Sequence, residues 1–188
     1  MGKMVVGSIP FTRSKSKVVK LKAAVFPAER RLFSFKVRMP MTTIRVGWRE
    51  WVALPALGMP RVRAKLDTGA RTSALHVERQ WRFVDAGAPW VGFAVLPRMR
   101  GTLVEAAAPI ADERMVTDSG GHRTLRVFVR TTLQLAGVEH EVDINLADRC
   151  GMRFPMLLGR TALAGAFTVD PAASFLHGRK RAGPSSDP

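Results

Sequence analysis

Cysteine occurs once, at Cys150, and histidine four times in the 188 residues. A lone thiol cannot close an internal disulfide, and with so few histidines it cannot supply a cysteine-rich structural zinc site, so a disulfide-stapled secreted fold is excluded. Tyrosine is absent, which makes a base-stacking platform a poor prospect. No window approaches the roughly 18 consecutive apolar residues of a spanning helix, and no charged start leads into a clean apolar run of signal-peptide length. The expectation is a soluble, cytoplasmic chain with no membrane partner. Also missing are a His-Glu-x-x-His metal motif and a Gly-x-x-x-x-Gly-Lys-Ser/Thr phosphate loop. Acid is scarce: 15 Asp+Glu stand against 30 Lys+Arg, a formal net charge of +15.

That excess is concentrated at the ends. Residues 1–41 hold 10 Lys+Arg against only Glu29, a local charge of +9. They mix Lys and Arg with Ser and Pro and keep no sustained period of 2 or 3.6, so this stretch reads as a disordered basic arm. Its cations would suit nucleic acid or another anionic surface; the alternative is that Met41 is the true start of translation. Residues 179–188, RKRAGPSSDP, read as a solvated tail. Between them, residues 42–178 carry 17 basic and 13 acidic side chains, an ordinary globular composition and enough chain for one domain.

Within this middle the periods are short. IRVGWREW at 44–51 alternates apolar and polar residues and reads as a strand, followed by a loop at LPALGMP. RVRAKL at 61–66 alternates again, placing Val62, Ala64 and Leu66 on one face, and runs straight into Asp67-Thr68-Gly69-Ala70. Further strands are expected at 90–96, 124–133 and 138–146, the last two joined by a turn at Ala136-Gly137, with Asp118-Ser119-Gly120-Gly121 as a turn ahead of the 124 strand. Only Thr161–Ala164 and, less clearly, Thr72–Glu78 have a helical look. The fold class expected is all-β, a closed barrel or sandwich with one short C-terminal helix.

The chemistry sits at Asp67. An aspartate at a strand end followed by a hydroxyl and a glycine makes a tight turn that points a carboxylate outward. Beside a second such aspartate, the two cannot both ionise, so the pair shares a proton. One member then activates water while the other polarises a carbonyl. Asp-Thr-Gly alone is equally compatible with a plain turn.

KLDTGARTSALH at 65–76 and FPMLLGRTAL at 154–163, with VTDSGGHRTLRVFVRTTLQLAG between them, together resemble the bacterial retropepsin-like family that carries the label ATP-dependent zinc protease. That family is associated with the glutamate ligase of ribosomal-protein modification. The similarity runs from about Arg45 to about Leu176. It implies a retropepsin-type β fold, Asp67 as catalytic aspartate with Thr68, Gly69 and Ala70 as its turn, and Leu157-Leu158-Gly159-Arg160 as the element packed beside that turn. The candidate substrate-binding residues are Ala70, Arg71, Gly120, Gly121, Arg123 and Arg160.

A single Asp-Thr-Gly is half a dyad. Asp118-Ser119-Gly120 imitates a second copy, but its lead-in Met115-Val116-Thr117 is weak and two lobes would be short, so it reads better as a hairpin turn or flap. A homodimer is the consequence, each copy bringing its Asp67 to the two-fold axis. No cofactor is required by this reading. Zinc enters only through the family label, with His76, nine residues beyond Asp67, as the weak candidate ligand, and ATP dependence would need a partner. Arg71, Arg123, Arg126, Arg153 and Arg160 crowd the same motifs, and forked guanidinium groups suit an acidic or glutamate-modified peptide; solvated or structural arginines are the plainer alternative. The leading expectation is thus a dimeric aspartic peptidase acting on acidic segments, with a ribosome or ligase association. A zinc peptidase and a non-catalytic module that holds acidic tails are the competitors.

Overall fold

In a computed structural model, residues 42–97, 102–117, 120–148 and 153–178 are described. The arm, the tail, Asp118, Ser119 and Cys150 lie outside them. The described chain is built almost wholly of strands: β1 (Ile44–Gly47), β2 (Arg49–Leu54), β3 (Met59–Leu66), β4 (Ser73–His76), β5 (Arg79–Asp85), β6 (Ala88–Val95), β7 (Val104–Pro109), β8 (Asp112–Thr117), β9 (Arg123–Leu135), β10 (Val138–Ala147), β11 (Met156–Leu158) and β12 (Phe167–Asp170). One short helix, α1 (Arg160–Leu163), and a 3-10 turn at Pro55–Leu57 complete it. No helix among the described residues is long and apolar enough to cross a membrane.

Alternation decides the core. On β3, Val62, Ala64 and Leu66 are buried as their spacing predicts, and they meet Val52 and Leu54 of β2, Val129 and Leu133 of β9, and Met156 and Leu158 of β11 in one cluster. The longest strands, β9 and β10, form an antiparallel hairpin from Leu135↔Val138 to Phe128↔Asn145. Its two-residue turn, Ala136-Gly137, has both residues at positive φ (52° and 81°), the geometry that matches strand twist.

Three expectations are corrected. Thr72–Glu78 is not helical: Ser73–His76 form β4, which runs parallel to β10 and antiparallel to β11. These neighbours, distant in sequence, supply backbone partners that local pattern does not reveal. The barrel is not closed. Strands fall into a seven-stranded sheet in the order β10-β4-β11-β3-β2-β9-β8, a three-stranded sheet β5-β6-β7 and a parallel pair β1-β12. The large sheet curls until β9 meets both β10 and β2, but the β2 edge joins by the single pair Ala53↔Gln134.

The 44–51 strand is also two strands. At Gly47 the chain passes so close to Ala173 that a Cβ would lie 2.6 Å from its carbonyl oxygen. Trp48 N–H donates to that same oxygen at 3.0 Å, and the Trp48 carbonyl accepts from Leu66 N–H. The backbone therefore leaves β12 and enters the large sheet at Trp48.

Candidate active site

β3 ends at Leu66, and the next residue begins the turn. The Asp67 carboxylate folds back onto it: Oδ1 accepts from the N–H groups of Gly69 (3.0 Å) and Ala70 (3.2 Å). Oδ2 lies 3.2 Å from the Lys65 ammonium. Burial opposes the charge on Asp67, but Lys65 and the two N–H groups outweigh it and hold the carboxyl below its ordinary value of 3.8. About a quarter of the side chain remains open to solvent.

The 157–161 segment laces the turn from behind. β11 pairs in parallel with β3 at Met156↔Ala64, Leu157↔Lys65 and Leu158↔Leu66. Asp67 N–H donates to the Leu158 carbonyl at 2.8 Å, Arg160 N–H to the Ala70 carbonyl at 2.9 Å, and Thr161 N–H and hydroxyl both to the Arg71 carbonyl. Gly159 N–H donates to the buried Ser73 hydroxyl at 3.2 Å. A Cβ at Gly159 would lie 2.6–2.8 Å from backbone atoms of Thr72 and Arg71, which no rotamer change relieves. Gly159→Ala is accordingly expected to cost about 1–3 kcal/mol and to displace the Asp67 turn, visible as a lowered thermal midpoint and altered Gly69 and Ala70 amide shifts.

In front of the turn opens a cleft of about 1040 Å³, at the upper limit of the volumes usual for small-molecule sites. Its near wall includes Asp67, Gly69, Ala70 and Arg71, and its far wall is the β8–β9 hairpin with Met115, Val116, Thr117 and Gly120. This hairpin, in register from Asp112↔Phe128 to Thr117↔Arg123, stands where a flap is expected. Arg114, Arg126 and Asp148 also border the cleft.

The expected arginines divide. Arg71 and Arg126 line the cleft. Arg126 donates to the Thr124 hydroxyl (3.0 Å) and to Oδ1 of the buried Asn145 (3.1 Å), whose amide in turn donates to the Ser73 carbonyl. Both partners of this guanidinium are neutral. Gly121 and Arg123 sit exposed at the head of the hairpin, and Arg153 and the Arg160 side chain are exposed, none of them bordering the cleft. Thr68 is exposed at the turn.

Sequence reasoning missed Lys65, Arg114, Asp148, Asn145 and Ser73. Lys65 had a signal, standing two residues before Asp67 on an alternating strand. The place of Arg114 over the Phe128 ring (3.9 Å) had none, because it arises from hairpin pairing.

The donors among the described residues do not assemble a zinc centre. His76 Nε2 lies 3.3 Å from Glu78 on the same stretch of chain, and no three His, Cys, Asp or Glu side chains converge among the described residues.

A family model described as "Retropepsin-like aspartic endopeptidase RimB" matches residues 45–180. Among curated proteins, the chain is 37% identical over 137 residues to a "Probable alpha-L-glutamate ligase" of Shewanella pealeana, covering 72% of this chain and 30% of that protein. It is 36% identical over 129 residues to a protein of the same name from Desulfotalea psychrophila, covering 68% and 28%. The chain thus spans less than a third of the length of these relatives. A solved structure of a Legionella pneumophila protein with unknown function superposes with a TM-score of 0.62 at 24% identity, covering 72% of this chain and 98% of that one. At that identity the likeness speaks for the fold alone.

Proposed function

Because this chain belongs to the RimB-like family of retropepsin-like aspartic endopeptidases, we propose that it is an aspartic-type peptidase that works as a homodimer on acidic, glutamate-rich segments. The observation that carries the reading is the Asp67 carboxylate, held by two backbone N–H groups and facing an open cleft. One such carboxylate cannot serve as base and acid at once. Two, related by a dimer axis, share one proton. The ionised member takes a proton from water as the oxygen attacks the scissile carbonyl, while the protonated member donates to the carbonyl oxygen. Collapse of the tetrahedral intermediate passes a proton to the leaving amine.

Charge supports the acidic substrate. Arg126 brings a guanidinium whose partners are neutral to the cleft, and Arg71 adds a second; Arg114 is already engaged by Asp112 and, at 3.9 Å, Asp143. A peptide bearing glutamates would complete these forks. The glutamate-ligase names of the relatives point the same way: glutamates added to a protein in the cytoplasm are what such a peptidase would trim, in association with the ribosome or the ligase.

The test is mass analysis of products from a glutamate-rich peptide and a neutral peptide of equal length. The acidic peptide is expected to be cut in preference, with the preference shrinking as salt rises. Arg126→Gln should lower kcat/KM for the acidic peptide by roughly 10–100-fold, the scale of a lost charged hydrogen bond, while changing neutral-peptide turnover little. A glutamate-rich peptide that binds yet stays intact would instead identify a holding module.

A further inference from the structure

Lys65 and Asp67 are two residues apart where β3 enters the turn, so both side chains project to the same side. The two carboxylate oxygens are held differently: Oδ1 by the Gly69 and Ala70 N–H groups, Oδ2 by the Lys65 ammonium at 3.2 Å. Across the sheet Lys65 stands opposite Arg49 of β2 and Leu157 of β11. Arg49 is occupied elsewhere, stacked on Trp48 and Phe175 and donating to Ser174.

The other charged groups bordering the cleft are Arg71 beyond the turn, Arg114 on β8, Arg126 on β9 and Asp148 after β10. Among the described residues, Lys65 is the cation at ion-pair distance from Asp67. We propose that Lys65 is a positioning residue of this site, its ammonium fixing the outer oxygen of Asp67 and setting, with the two turn N–H groups, the charge that the carboxyl carries.

In a dimer the same pairing has a further effect, which rests on the peptidase reading. Two carboxylates brought together would take up one proton readily. Each arriving with its own ammonium is less inclined to, so the pair shares its proton over a lower pH range than a bare pair would. Hydrolysis should therefore decline at a lower pH than without Lys65.

The experiment is a pH titration of the Asp67 carboxyl carbon by NMR in the full chain, for wild type, Lys65→Met and Lys65→Arg. It needs no turnover. Because the pair is partly exposed, the Met variant is expected to raise the midpoint by roughly half to one pH unit and the Arg variant to restore it. In hydrolysis assays the high-pH limb should move up by the same amount in Lys65→Met. Should that variant fail to fold, added salt does the same work on wild type, raising the midpoint as the pair is screened. A midpoint that ignores both Lys65→Met and salt, or an Arg variant shifted as far as the Met variant, overturns the inference. A shifted midpoint in a protein with no Asp67-dependent hydrolysis supports the role of Lys65 and removes the peptidase reading instead.

Discussion

Asp67→Asn is expected to reduce hydrolysis of a glutamate-rich peptide by roughly 10⁴-fold, the upper range for loss of an acid–base group, with the fold retained. The substitution is nearly isosteric, and its amide oxygen can still accept from Gly69 and Ala70, so the turn keeps its shape. What goes is the ability to hold and pass a proton. In a symmetric dimer one substitution removes both carboxyls. The cost in stability should stay under about 1 kcal/mol, since the Lys65 pair is partly exposed. Initial rates, a thermal melt and sedimentation together check the claim. A mixing experiment reaches further: adding excess Asp67→Asn chain to wild type should poison activity as mixed dimers form, whereas a self-sufficient monomer would be indifferent. Hydrolysis that survives the substitution would sink the aspartic mechanism.

The residues behind this expectation are legible in the amino-acid sequence because their interactions are local. The alternation of Val62, Ala64 and Leu66 delivers the turn, and the turn's own N–H groups hold the carboxylate. The β9–β10 hairpin is legible for the same reason, its turn residues lying between two regular runs. Legibility fails where partners are distant. β4 looks helical until β10 and β11 flank it, and the sheet's failure to seal depends on how little of β2 reaches β9. β5 lies exposed along its whole length and gives no core-facing alternation. In the cleft, Arg126 stands out as a charge, but its anchoring through Asn145 to Ser73 joins residues 72 positions apart. Hydrophobic pattern reports which face is buried, not which polar groups meet there.

Glu50 is the sharpest instance, and it carries the second large effect. The alternation of Ile44, Val46 and Trp48 runs on to Glu50, which places a carboxylate on the apolar face with no partner that the pattern reveals. Despite the break at Trp48 the phase is kept, and Glu50 shares the inward face of β2 with Val52 and Leu54 and is fully buried. Its carboxyl oxygens accept from Gly47 N–H (2.8 Å), Leu176 N–H (2.8 Å) and His177 N–H (3.2 Å). The side chain therefore ties the β1–β2 break to a segment 126 residues later, where Phe175 also packs on Trp51 and donates its N–H to the Arg49 carbonyl. Glu50→Ala would strand these donors and leave a void. Water can reach Leu176 and His177 more readily than the buried Gly47, so the penalty falls short of three full ones and is expected at about 3 kcal/mol. That is a large share of a typical stability of about 5–15 kcal/mol and should lower the melting temperature by roughly 6–12 °C. Glu50→Gln keeps one acceptor oxygen and should lose less. Hydrogen exchange supplies the specific readout: protection of the Gly47, Leu176 and His177 amides should fall well before that of β9 and β10. Because Glu50 lies in β2, outside the Asp67 cleft, peptide turnover at low temperature should persist in the Gln variant. An Ala variant that melts with wild type would mean that the staple contributes nothing and that water already serves these amides.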